Sequence, residues 1–202
     1  MGGGIPVNST QQQNMTLKKT IEYSQASIEK EDLEVLLPAI DRIKPKIILE
    51  IGAWHGYSME VWYNAFKPKK LITIENEITA LAYLNSRAQK HELDYMNPPP
   101  TLIASDSHSD RTLAMVVREL GEDLVDFLFI DGDHSYDGVR KDYNFYSPLV
   151  RRGGVIVFHD ALIHVDGTEE VDVFWKEIKN THPMQEIKES PNSTGIGVLW
   201  NL

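Results

Sequence analysis

A chain of 202 residues with a net charge of −10 and no cysteine excludes several classes at once. Phosphate-backbone binding needs clustered Lys and Arg, thiolate or disulfide chemistry needs cysteine, and a membrane span needs a long apolar run that this sequence lacks. The expectation is a soluble, cytoplasmic protein of ordinary domain size with a substantial core, binding neither nucleic acid nor membrane.

Met1–Asn14 is rich in Gly, Gln, Asn and Ser and reads as a disordered tail, which leaves residues 15–202 as a single domain. Leu33, Leu36, Leu37, Ile40 and Ile43 keep helical spacing across Pro38, predicting two short helices or one kinked one. Lys46–Glu50 is a buried strand, Ile51–Tyr57 a glycine-bearing turn, and Ser58–Phe66 the helix it opens. Leu71–Glu75 is a second strand ending on an acid, and Glu77–His91 a helix with Ile78, Leu81, Leu84 and Ala88 as its buried stripe. After the stiff loop Asn97–Pro100 come a short strand, Thr101–Ala104, and a helix, Ser109–Leu120. Val125–Ile130, Ser135–Leu149 and Val155–Phe158 form a strand–helix–strand unit of the length that joins parallel strands. A helix follows, with Val171, Phe174, Trp175 and Ile178 inward. Met184–Glu189 and Ile196–Asn201 close the chain as a hairpin across the turn Ser190–Gly195. This succession predicts an α/β fold, a three-layer sandwich on a Rossmann-like, mostly parallel seven-stranded sheet with a C-terminal antiparallel hairpin. Chemistry in such a fold belongs at the carboxyl ends of the strands.

The first of those ends carries Glu50, Gly52, Gly56 and Ser58, with three residues between the glycines. Glycine there lets the backbone pass close to a ligand. The dinucleotide pattern G-x-G-x-x-G is absent, and an ordinary tight β/α turn would also use two glycines. Glu75, ending the second strand, is placed to accept hydrogen bonds from both hydroxyls of a ribose, a contact that suits NAD as well as other nucleoside cofactors. Ser105, Asp106 and Ser107 follow the third strand, where they either meet a cofactor base or cap the next helix. Asp131, Asp133 and His134 end the fourth strand; His159 and Asp160 end the fifth. Crowded carboxylates need a cation or a proton, and Asp131 with Asp160 suits Mg²⁺, or Mn²⁺ if nitrogen joins. Asp133 is read as a cap for the helix at Ser135, and Arg140, Lys141 and Asp142 as a solvated helix face.

The spacing E-x-G-x-x-x-G resembles the first motif of class I S-adenosylmethionine-dependent methyltransferases. D-G-D-H-S-Y followed by G-G-V-I-V-F-H-D resembles small O-methyltransferases of the cephalosporin-hydroxylase-like and macrolide-sugar group, and more distantly catechol O-methyltransferase. The resemblance runs from about Ile47 to Asp160. It implies S-adenosylmethionine as cofactor, held by the glycine turn, Glu75, Asp106, Ser107 and the Asp131 edge. It further implies a divalent metal on Asp131, His159 and Asp160, with His134 as general base. His159 departs from the pattern, since the metal-binding relatives have a carboxylate there. The implied reaction is cation-assisted O-methylation of a small hydroxyl-bearing molecule. The alternatives are a cofactor-binding module without chemistry and an NAD-dependent oxidoreductase. Trp54, His55 and Tyr57 in the glycine turn, and His164 and Asp166 after the fifth strand, are candidate acceptor contacts. Whether the chain forms a homo-oligomer is open at this stage.

Overall fold

The computed structural model describes residues 8–163 and 170–202. Seven strands form one sheet in the order β3-β2-β1-β4-β5-β7-β6. They are β1 (Ile47–Ile51), β2 (Lys70–Glu75), β3 (Thr101–Ala104), β4 (Val125–Ile130), β5 (Val150–Phe158), β6 (Met184–Ile187) and β7 (Ile196–Asn201). The first five pair in parallel, while β7 runs antiparallel to both β5 and β6. The expected sheet and terminal hairpin are therefore what the chain forms. The helices are α1 (Ser9–Glu22), α2 (Lys30–Asp41), α3 (Tyr57–Phe66), α4 (Ile78–Gln89), α5 (Asp110–Leu120), α6 (Tyr136–Tyr146) and α7 (Val171–Ile178). No helix among the described residues is long and apolar enough to cross a membrane.

Burial on both faces explains the apolar runs. β1 and β4 are buried at every position, so alternate residues feed two separate cores. On one face Ile48, Phe127 and Phe129 pack with Leu33, Leu36, Leu37 and Ile40 of α2 and with Trp62 of α3. On the other, Leu49, Leu128 and Ile130 pack with Val116 of α5, Val139 and Tyr146 of α6, and Phe174 and Trp175 of α7.

Three expectations need correction. Residues 9–14 are not a tail but the first turns of α1, while residues 1–7 lie outside the described part. Asn8 accepts from Gln11 N at 2.8 Å while the Gln11 side chain accepts from Asn8 N at 3.1 Å, a reciprocal cap that starts the helix. Leu17 then buries the amphipathic face. Second, Pro38 does not divide the segment into two helices; α2 runs through it as one. Third, the buried residues of α4 are Ala80, Leu84 and Arg87, with Ile78 79% exposed. Arg87 goes inward because Glu60 and Glu92 pair with its guanidinium.

The C-terminal hairpin is tied back to α2 by one carboxylate. Asp32, 1% exposed, accepts from Glu189 N at 2.6 Å, from Ser190 N at 3.3 Å and from the Ser193 hydroxyl. Asp32→Ala strips these groups of a charged acceptor. Its free energy of unfolding, from urea titration, is expected to fall by about 2–4 kcal/mol with an unchanged slope.

Candidate active site

The chain leaves β1 toward β2 and leaves β4 toward β5, so the strand order reverses between β1 and β4. A crevice opens beyond the carboxyl ends of strands at such a point. Gly52 makes it possible. It adopts φ +88°, and a Cβ on it would stand 2.0 Å from the Asp131 carbonyl oxygen. Only glycine allows this approach.

Beside it lies a cavity of about 490 Å³, lined by residues from the ends of β1 to β4: Gly52, Trp54, Glu75, Ser105, Asp106, Ser107, His108, Asp131 and Asp133 among them. Of the proposed cofactor residues, Gly52, Glu75, Asp106, Ser107 and Asp131 line this space. Glu50, Gly56 and Ser58 do not. Glu50 is fully buried beneath the turn, accepting from Trp62 Nε1 at 2.9 Å and from Thr73 Oγ1 at 2.7 Å, and Ser58 also bonds to it. Gly56 starts α3 at φ +80° and packs toward Leu84 and Met59. These three build the turn beneath and beside the cavity. Glu75 accepts from Trp54 N at 2.6 Å, Asn76 N at 2.9 Å and Glu77 N at 2.8 Å, which fixes the carboxylate in the wall of the cavity. Trp54 itself holds φ 44°, 56% exposed, with its ring 5.0 Å from His55, which in turn lies 4.4 Å from Tyr83.

Asp131 has a second set of neighbours. His134 Nε2 and His159 Nδ1 each lie 3.3 Å from its Oδ1. Asp160 Oδ2 is 3.0 Å from His159 Nδ1 and 3.5 Å from His134 Nδ1. Burial alone would raise Asp131, but the two imidazoles, His159 foremost, hold its carboxyl at about 2. Burial would lower His159, yet Asp131 and Asp160 raise it well above 6.5. Asp160 is likewise lowered against its burial, chiefly by His159 and then by the Thr194 hydroxyl. Asp160 sits at φ 55°, in the left-handed region, and the Thr194 hydroxyl bonds to its Oδ1. Thr194 was invisible in the sequence, where Ser190–Gly195 read only as a turn.

The expected metal set was Asp131, His159 and Asp160. Among the described residues, Asp131, His134 and Asp160 bring one ligand atom each within 4.8 Å of one another. His159 Nδ1 is turned into the two carboxylates. Asp133 accepts from Ser135 N at 2.9 Å, whereas the cap of α6 is Ser135 itself, bonded to Gly138 N at 3.1 Å. Asp142, expected on a solvated face, is wholly buried against His108. His164 and Asp166 fall outside the described residues.

Fold and site together define a class I S-adenosylmethionine-dependent methyltransferase architecture, with the glycine turn, the acid of β2 and the loop after β3 around one cavity. Residues 49–161 match a methyltransferase-domain family, and the chain belongs to it. Among solved structures, the O-methyltransferase from Bacillus cereus in complex with S-adenosylhomocysteine has 17% identity and a TM-score of 0.63, covering 97% of this chain and 92% of that one. The S-adenosylmethionine complex of the Streptomyces achromogenes O-methyltransferase involved in tomaymycin synthesis has 15% identity and a TM-score of 0.64, covering 98% and 92%. At such identities the likeness is one of fold. An uncharacterized protein of Acanthamoeba polyphaga mimivirus is 32% identical over 112 residues, 55% of this chain and 50% of that protein. Another from Sinorhizobium fredii is 23% identical over 171 residues, 80% of this chain and 18% of its own length. The chain thus spans half or less of these relatives.

Glu50 supplies a test of the turn. Burial raises its carboxyl from 4.5 to about 7, against the opposing hydrogen bonds from Thr73, Ser58 and Trp62. The folded state therefore holds a proton that the unfolded chain has lost, and stability falls as pH rises between those two values. Glu50→Gln removes this dependence. The loss of unfolding free energy from pH 5 to pH 8 is expected to shrink by on the order of 2–3 kcal/mol relative to the parent in denaturant titrations.

Proposed function

We propose that the chain transfers the methyl group of S-adenosylmethionine to a hydroxyl oxygen of a small molecule, with His134 as general base. The observation that carries this reading is the double membership of Asp131, which lines the cofactor cavity and bonds to His134 on its other side. The acceptor oxygen attacks the methyl carbon, the carbon–sulfur bond breaks toward sulfur to leave S-adenosylhomocysteine, and the hydroxyl proton passes to the imidazole. Asp131 and Asp160 orient that imidazole from two sides.

A cation-assisted version of the same reaction draws support from the convergence of Asp131, His134 and Asp160. A divalent ion there would lower the pKa of the acceptor hydroxyl. The donor chemistry fits poorly. Mg²⁺ seeks carboxylate oxygens, and the β5 position offers a nitrogen that already donates to the two carboxylates present. We therefore derive no step through a metal.

Calorimetry with S-adenosylhomocysteine tests the cofactor claim; no heat at high protein concentration rejects it. His134→Ala is expected to lower kcat by about 10²–10⁴-fold on an accepted substrate while cofactor affinity stays within a few-fold. An unchanged rate retires His134 as base. Activity is expected to survive dialysis against a chelator, and a loss restored by Mg²⁺ would instead install the cation.

A further inference from the structure

Asp160 can orient His134 only if its own carboxylate is held, because the torsion that turns an aspartate head group is soft. Its two oxygens have different partners. Oδ2 lies 3.0 Å from His159 Nδ1 and 3.5 Å from His134 Nδ1. Oδ1 accepts from the Thr194 hydroxyl. The backbone of Asp160 also needs support, since φ 55° lies in a region that few side-chain-bearing residues occupy.

That support comes from the turn between β6 and β7. Ala161 N donates to Gly195 O at 2.9 Å, and Leu162 N and Ile163 N donate to Thr194 O at 3.1 and 3.0 Å. Gly195, at φ +89°, lets the two segments touch: a Cβ on it would stand 2.6 Å from the Leu162 Cβ. The turn is itself fixed from α2. Asp32 accepts from the Ser193 hydroxyl, and the same hydroxyl oxygen accepts from Gly195 N at 2.9 Å. A continuous run of contacts therefore leads from buried Asp32 through Ser193 and Thr194 to Asp160 and the His134 ring.

We propose that Thr194 is a positioning residue for the methyl transfer: its hydroxyl fixes one oxygen of Asp160 so that the other faces His134, and the β6–β7 turn, seated on Asp32, holds the hydroxyl in place. This rests on the reading of His134 as base. A hydroxyl suits the position by its chemistry. It donates to Oδ1 without bringing charge, so Asp160 keeps its full attraction for the imidazole. A cation there would compete with the imidazole for the carboxylate, and an apolar side chain would leave Oδ1 without this donor.

Imidazole ¹H–¹⁵N correlation spectra of the full chain at one fixed pH test the claim, with the His134 ring assigned through His134→Ala. In Thr194→Val, which keeps the side-chain shape, the His134 signals are expected to move. Those of His91 and His182, which have other partners, should stay. Thr194→Ser keeps the hydroxyl and is expected to restore the His134 signals. On an acceptor whose methylation depends on His134, Thr194→Val should lower kcat about tenfold, with acceptor KM and S-adenosylhomocysteine affinity within a few-fold. Combined with His134→Ala, it should cost nothing further. His134 signals that do not move in Thr194→Val, or that stay displaced in Thr194→Ser, overturn the proposal and leave the base reading intact. So does a loss of rate as large without His134 as with it. An unchanged rate in His134→Ala overturns the base reading and this role with it, whatever the spectra show. Should Thr194→Val fail to fold, Thr194→Ala at this half-buried position is read by the same outcomes.

Discussion

The contact on which the site depends is the approach of Gly52 to the Asp131 carbonyl, where β1 and β4 end side by side. With a Cβ placed 2.0 Å from that oxygen, any other residue must push the two strand ends apart. Two further backbone bonds hold the junction, Asp131 N to Ile51 O at 2.9 Å and Gly52 N to Ile74 O at 3.0 Å. Three strand ends are thereby locked to one another before any ligand enters. Asp131 is then fixed at the wall between the cofactor cavity and the imidazole pair, and neither side can shift without the other.

Electrostatics divides the acids of this junction by their partners rather than by their depth. Glu50 and Asp131 stand near the ends of neighbouring strands. Glu50 has only neutral donors around it, so burial lifts it to about 7. Asp131 faces two imidazoles and is held at about 2, although burial opposes that too. One acid is structural and shares a proton at neutral pH, and the other is a permanent anion that orients His134. The difference is set by Trp62, Thr73 and Ser58 on one side and by His134 and His159 on the other.

The strands were legible because parallel strands buried on both faces leave apolar-rich runs, as in Ile47–Ile51, Val125–Ile130 and the second half of β5. The lining of the cavity was legible through Gly52, Glu75 and Asp106, whose types are set by backbone approach and hydrogen bonding. The direction Glu50 takes was not legible: an acid within a strand ending at the site can face the cavity or the helix beneath, and Trp62 supplies the partner that turns it inward. The first helix was hidden by its polar composition, although Asn8 and Gln11 carried the spacing of a reciprocal cap. Asp142 looked solvated beside Arg140 and Lys141 because its partner, His108, lies 34 positions away in the chain. Pairings of that kind are set by topology and leave no local trace.

Helix α6 connects the two halves of the site. The segment leading into it carries Asp131, Asp133 and His134, its cap is Ser135, and its second half presents Asp142 and Tyr146 to the loop after β3. His134 and the residues under the loop after β3 are thus joined through a single element. A rotation of α6 sufficient to move His134 would drag Asp142 from under His108, and burial of Val139 and Tyr146 against the sheet resists such rotation. The loop after β3 and the position of His134 are coupled through the packing of α6.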